Sequence, residues 1–254
     1  MPANPFTSDV AARLYADGRP DYSQLVADII RRITGIEVAV EFAVDVGSGT
    51  GISTLAIAPL AERVVGVEPS EAMLERAIPA DNVSYRIGSA EHLPVEDQSC
   101  DLISVGSALH WFDQKQFLAE ASRVAKPDAW LVVYDHWFTG RLLDHDDFGR
   151  WARDVYLSVY PSPPRDRSWR PPQDLGNWRH TGWESYDHPV SFSSDQLATY
   201  LLTQSNLQAV IESGAKTEKQ LRSWLMDELA PFFTDDPVAV FMFGGFVAGH
   251  RRTA

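Results

Sequence analysis

A single cysteine, Cys100, stands in 254 residues, which excludes an internal disulfide and a cysteine-rich zinc site and fits a reducing compartment. The thiol reads as packing. No apolar run approaches the roughly 20 residues that a membrane-crossing helix needs. The opening MPANPFTSDV lacks the basic-then-apolar order of a secretion signal, so a cytoplasmic, soluble protein without a membrane span is expected. Basic residues are also scarce. Lys and Arg number 22 against 35 Asp and Glu, a formal charge of −13, so nucleic acid would meet mostly repulsion and is not an expected partner. There is no internal repeat and no low-complexity tract. At 44% hydrophobic and 22% charged residues the composition is that of a folding globule. Nothing in the chain sets an oligomeric state.

What is present is an alternation. Leu25, Ile29 and Ile33 recur every four residues behind Asp21, a plausible N-cap, and predict a helix over 21–34. Strands are expected at EFAVDV (41–46), ERVVGVE (62–68), VSYRI (83–87), DLISVG (101–106) and WLVVYD (130–135), with helices at 52–60, 70–77 and 114–124 between them. Strands apolar on nearly every residue, alternating with helices, indicate a parallel sheet covered on both faces, with its ligand crevice at the carboxyl ends of the strands. Beyond Asp135 the segment 136–183 is irregular, proline-rich at its centre, and carries tryptophans at 137, 151, 169, 178 and 183. Such an aromatic insertion suggests an ordered lid rather than a linker. A strand around 186–192, helices from Asp195 and over 217–229, and a last apolar strand over 238–248 complete the chain. One domain, 1–254, is expected: a cofactor-binding part to about 135, and lid or acceptor-binding insertions at about 136–183 and 194–236.

The stretch VDVGSGTG places Gly47, Gly49 and Gly51 at alternate positions where the first strand ends. A dinucleotide fingerprint, G-x-G-x-x-G, would need its third glycine at Ile52, so the nicotinamide reading is weakened. Absent Cβ atoms also suit a ligand whose amino-acid end and sugar must approach bare backbone. Glu68 ends the second strand, seventeen residues after Gly51, placed to accept from both hydroxyls of a ribose. In GSAEHLP (88–94), Ser89 and Glu91 can accept from an adenine amino group while the Ala90 N–H donates to a ring nitrogen. The fourth strand ends in SALHWFD, where the reacting end of the ligand should lie.

VDVGSGTG, VVGVEPSEAM, GSAEHLP and SALHWFD, preceded by Y-x-x-x-R-P-x-Y from Tyr15 to Tyr22, stand in the order and spacing of a known family. Over roughly its first half the chain resembles the class I S-adenosylmethionine-dependent methyltransferases, in particular the small-molecule group that includes trans-aconitate methyltransferase-like proteins. The resemblance implies a Rossmann-like α/β fold, a seven-stranded, mostly parallel sheet with helices on both faces and an antiparallel last strand, and S-adenosyl-L-methionine as cofactor. It further implies that Asp45, Gly47, Gly49 and Gly51 surround the methionine part. Glu68 would take the ribose, and Ala90 with Glu91 the adenine, with Met73 on its ring. Tyr15 and Arg19 would close over the cofactor, Arg19 pairing with its carboxylate, and Ser48, Pro69, Ser89, Ser107 and Trp111 would complete the cofactor-binding set. Two departures stand out: the family often has Asp where Ser89 stands, and RVAKPDAW (123–130) replaces a Leu-Lys-Pro-Gly-Gly turn.

A sulfonium is already an activated methyl donor, so in-line transfer to a small-molecule carboxylate, hydroxyl or amine needs positioning above all. A carboxylate is ionised at neutral pH; the other two must lose a proton. His110, just past the fourth strand, is the candidate base, or with Trp111 simply a wall of the pocket. Asp113 is expected to cap the next helix. His136 could face the same crevice. Arg165, Arg167 and Arg170 could meet an anionic acceptor or be ordinary surface residues. Gln204, Ser205 and Asn206 could line the acceptor pocket, with capping and packing as the alternative. The run of His136, Asp144, His145, Asp146 and Asp147 lacks metal-ligand spacing, and no metal is expected. Two other readings are a nicotinamide-dependent oxidoreductase and a non-catalytic cofactor-binding protein.

Overall fold

Seven strands hydrogen-bond into one sheet: β1 (Val40–Val46), β2 (Ala61–Glu68), β3 (Val83–Ile87), β4 (Cys100–Gly106), β5 (Ala125–Leu142), β6 (Trp178–Ser193) and β7 (Val238–Arg252). Their order is β3-β2-β1-β4-β5-β7-β6, with β7 antiparallel to both neighbours and the pairs from β3 to β5 parallel. The structure, a computed structural model, describes residues 8–143, 147–164, 169–234 and 236–253.

Side-chain alternation divides the core between the two faces of the sheet. Val44, Val46, Ile103, Val105, Leu131 and Val133 pack on Phe117, Ala121 and Val124 of the helix Gln114–Val124. Ala43, Val64, Leu102 and Val132 face the other way, onto Val26, Ile29 and Ile30 of the helix Ser23–Thr34 and onto Ala56 and Ile57. Cys100 is fully buried in the first cluster, and burial pushes its thiol up to about 12, so it packs rather than reacts. A third cluster lies at the far end of β5. Leu142, Phe241 and Phe243 of the sheet meet Leu14, Phe148, Trp151, Tyr156, Leu197 and Leu201 from the helical segments.

The differences from expectation are local. The first long helix begins at Ser23, with Tyr22 at the cap position, and Asp21 Oδ1 instead accepts the Ser23 N–H at 2.8 Å. The helix expected over 70–77 is α-helical only over Glu71–Leu74, and 52–60 divides into an α-helix, Ile52–Ile57, and a 3-10 turn, Ala58–Leu60. The larger difference is in 136–183, whose two ends are strand: β5 runs on to Leu142 and β6 starts at Trp178. Long β7 supplies the reason, since its ladder pairs Phe138 with Phe243 and Trp183 with Ala248. Backbone pairing holds these segments extended where no apolar run announces a strand. Within the insertion lie a short helix, Asp147–Trp151, and a π-helix, Ala152–Tyr156.

Candidate active site

The turn after β1 is built around Asp45. Its buried carboxylate accepts the Ser53 hydroxyl at 2.6 Å, that of Thr54 at 2.8 Å and that of Ser104 at 2.5 Å. One acid thus fastens β1, the first turn of the following helix and β4. Burial pushes its pKa up while the three hydroxyls work against that rise. The three glycines of the turn serve different ends. At Gly51 (φ +92°) a Cβ would collide with Tyr85 Oη, and at Gly47 (φ +74°) it would lie 2.7 Å from Ala108 Cβ. At Gly49 (φ +53°) it would meet nothing within 4 Å. Gly47 and Gly51 therefore answer to packing, and Gly49 opens onto free space.

Glu68 ends β2 beside that space, because β1 and β2 pair in register with Val46 opposite Val67. The residue is only 6% exposed. Oε2 accepts the Gly49 N–H and Oε1 the Ser70 N–H, each at 3.1 Å. Burial raises its pKa, and the two amides oppose that. Each oxygen keeps a lone pair for a further donor. Ser70 caps the short helix that carries the buried Met73. Glu91 Oε1 accepts the Asp113 N–H at 2.9 Å, and Asp113 caps the next helix through the Gln116 N–H, as expected.

One cavity of about 1070 Å³ joins these parts. Of the candidate residues, Tyr15, Arg19, Gly47, Gly49, Glu68, Pro69, Met73, Ser89, Ala90, Glu91, Ser107, His110 and Trp111 all lie on its wall. Asp45, Ser48 and Gly51 do not: they stand behind the turn and shape it. The Arg19 guanidinium lies 4.6 Å above the Tyr15 ring and 5.3 Å from that of Tyr200, and it donates to the Thr203 carbonyl at 3.2 Å. Its Nε–H has no partner among the described residues.

Beyond β4 and β5 the cavity becomes aromatic. Trp137, Trp151 and Trp169 lie on its wall, whereas Trp178 is core and Trp183 is exposed. Ser107 holds φ +52°, a left-handed conformation that costs a non-glycine residue about 1 kcal/mol. Its hydroxyl donates to Asp135 Oδ1 at 2.7 Å and accepts the His136 N–H at 3.1 Å, locking the end of β4 to β5. His110 follows on a 3-10 turn, its ring 4.9 Å from that of Trp111. Gln204 and Arg170 reach the wall. Asn206 packs instead, accepting from Tyr156 Oη at 3.1 Å and donating to the Tyr160 carbonyl at 2.7 Å, and Ser205 is buried. Arg165, Arg167, Asp144, His145 and Asp146 lie outside the described residues. Among the described residues no group of three or more His, Cys, Asp or Glu side chains could hold a metal.

Sequence reasoning missed Asp135, Tyr200 and Phe246 as wall residues. Asp135 carried a usable signal, an acid at the carboxyl end of a strand just as Glu68 is. Tyr200 and Phe246 carried none, because only the tertiary fold brings them there.

Sheet order and crevice define a Rossmann-like protein with bare backbone, a buried acid and an aromatic chamber at the carboxyl ends of its strands. The family described as "Methyltransferase domain" matches residues 44–133, from β1 into β5. An uncharacterized methyltransferase of Mycobacterium tuberculosis is 31% identical over 189 residues, 72% of each chain. A provisionally named methyltransferase of Dictyostelium discoideum is 27% identical over 214 residues, covering 81% of this chain and 79% of its own. A solved structure from Anaeromyxobacter dehalogenans, provisionally assigned as a type II methyltransferase, has a TM-score of 0.69 at 23% identity and covers 89% of this chain and 95% of that one. That likeness speaks for the fold. The chain belongs to the class I S-adenosylmethionine-dependent methyltransferases: it is an enzyme, and S-adenosylmethionine is its cofactor.

Proposed function

We propose that this methyltransferase acts on a small molecule enclosed in the aromatic part of the cavity, and that the Gly49–Glu68 part holds the cofactor. The observation that carries the reading is continuity. A single space of about 1070 Å³ runs from Gly49 and Glu68 to Trp151 and Tyr156, which exceeds the ~300–1,000 Å³ of a typical one-ligand pocket and leaves room for a second molecule.

The residues fit the cofactor. Gly49 leaves space that a Cβ would fill, suited to the amino-acid end, and the free lone pairs of Glu68 suit the two ribose hydroxyls. Met73, Ala90 and Glu91 suit the adenine, and the Arg19 guanidinium suits the carboxylate of the methionine part. Bound there, the cofactor supplies a methyl group already activated on a sulfonium, to be attacked in line. The protein's contribution is then orientation and the exclusion of water. The aromatic walls, including the π-helix 152–156, form the cover, in keeping with the association of π-turns with functional sites. His110 stands where it could take the proton of a hydroxyl or amine acceptor; a carboxylate needs no base.

The charge of −13 weighs against nucleic acid as acceptor, and the lone buried cysteine fits a cytoplasmic setting. Among the described residues no helix is long and apolar enough to cross a membrane. The test is a screen of small acids, phenols, amines and lipids with methyl-labelled S-adenosylmethionine. Label should pass to a small acceptor; label passing only to protein or nucleic acid would refute the reading.

A further inference from the structure

Four residues of the cavity wall hold a buried side-chain nitrogen without a hydrogen-bond partner among the described residues, Arg19, His136, Trp169 and Gln204, and His136 is the one packed among four other rings. His136 sits at the carboxyl end of β5 and is only 6% exposed. Phe243 lies parallel to its ring at 5.0 Å and 7°, Tyr22 at 4.5 Å and 34°, and the rings of His188 and Tyr186 follow at 5.4 and 5.9 Å. Nδ1 is 3.3 Å from Tyr186 Oη, while Nε2 is buried without a hydrogen-bond partner among the described residues. A buried polar atom left unpaired is uncommon and calls for a ligand or a water.

The tautomer follows from acidity. A phenol is a better donor than a neutral imidazole N–H, and the bare ring nitrogen is the better acceptor. Tyr186 therefore donates to Nδ1, and the ring proton rests on Nε2. The ring is also neutral at working pH, since burial, with His188 and Arg19 nearby, lowers its pKa to about 3. Asp135, adjacent on the same strand, is engaged through Oδ1 by Ser107 and by the His136 backbone N–H. His188, on β6, also has an unpaired ring nitrogen but is not on the cavity wall. His136 thus holds one fixed, uncharged donor, itself buried, at the wall of a chamber that also carries Trp137, Phe138, Trp151 and Tyr200.

We propose that His136 recognises the methyl acceptor by donating Nε2–H to an oxygen borne by an aromatic small molecule. The proposal rests on the reading of the aromatic chamber as the acceptor site. It makes His136 a specificity-determining residue, with Tyr186 as the positioning residue that sets its tautomer.

The test uses the full chain saturated with S-adenosylhomocysteine, the demethylated product. Benzoate, phenol and the oxygen-free ring toluene are titrated calorimetrically into wild type, His136→Phe, which keeps a flat ring, and His136→Gln, which keeps an N–H donor. Benzoate or phenol should bind wild type, about tenfold more weakly to His136→Phe, with most of the loss restored in His136→Gln, as expected for a single hydrogen bond. Toluene and S-adenosylhomocysteine should bind all three alike. Equal weakening of toluene, unchanged affinity for the oxygen-bearing rings in His136→Phe, or loss of S-adenosylhomocysteine affinity in that variant would overturn the proposal. So would failure of both oxygen-bearing rings to bind a wild-type protein that does bind S-adenosylhomocysteine. Failure of wild type to bind S-adenosylhomocysteine at all would overturn the underlying reading as well.

Discussion

Replacing Gly49 by alanine separates two costs that a substitution in a glycine turn usually confounds. The backbone cost comes from φ +53°, a left-handed conformation that penalises an L-residue by about 1–2 kcal/mol. In a chain of this size each kcal/mol lowers Tm by about 2–4 °C. The steric cost within the protein is nil, since the new Cβ meets nothing within 4 Å. Gly214 is the matched control: φ is +71°, a Cβ there also meets nothing within 4 Å, and the residue lies on an exposed turn away from the cavity. Gly49→Ala and Gly214→Ala should therefore lose similar Tm. Only at position 49 does the methyl enter space assigned to the cofactor. Overpacking of that kind costs about 1–3 kcal/mol, roughly a five- to 150-fold rise in Kd for S-adenosylhomocysteine. Calorimetric titration beside thermal melts of the three proteins decides it. Wild-type affinity in Gly49→Ala, or an equal loss in Gly214→Ala, would refute the placement of the amino-acid end over Gly49.

Two acids one strand apart should behave differently. Asp45→Ala removes the shared acceptor of three buried hydroxyls and should cost about 3 kcal/mol or more of stability, read by chemical denaturation. Glu68→Gln keeps one acceptor oxygen but turns an NH2 toward the other backbone N–H, so it should cost about 1 kcal/mol of stability, less than Asp45→Ala, while S-adenosylhomocysteine affinity drops about tenfold; the larger stability loss at Glu68 with affinity unchanged would contradict both assignments. His136 has a folded pKa of about 3 against an ordinary value of 6.5, so below pH 6.5 the unfolded chain binds a proton that the native state does not. The stability that the neutral ring contributes is complete above pH 6.5 and is lost as pH falls toward 3, by at most about 2 kcal/mol between pH 7 and 5. Urea melts of His136→Phe should show a shallower loss over that interval than wild type, and equal slopes would contradict a buried neutral imidazole. If His110 takes a proton from the acceptor, His110→Ala should lower turnover of a hydroxyl or amine substrate far more than cofactor affinity, whereas equal losses would make it a wall.

The parallel half of the sheet was legible because its strands are short apolar runs cut off by turn residues. Val44 and Val46 on one face and Ala43 on the other are all buried, so hydropathy alone marks the segment. The extensions of β5 and β6 were not legible for the opposite reason. Along β6, exposed and half-buried residues alternate from Arg179 to Pro189, and what keeps that segment extended is the ladder to β7, a pairing across more than fifty residues of chain. Within the site, the sequence marked the right turn but could not tell which side of it each residue serves. Gly51 answers to Tyr85, which β3 brings against it, and the side-chain partners of Asp45 come from three separate positions, 53, 54 and 104. Glu68 and Gly49 were assignable because strand-end position alone puts them at the crevice.

The most direct test is a crystal structure of the protein grown with S-adenosylhomocysteine. Density for the amino-acid end above Gly49, with the Glu68 oxygens within hydrogen-bonding reach of both ribose hydroxyls, is the expected result. A ligand bound elsewhere, or Glu68 turned from the sugar, would contradict the account at its root.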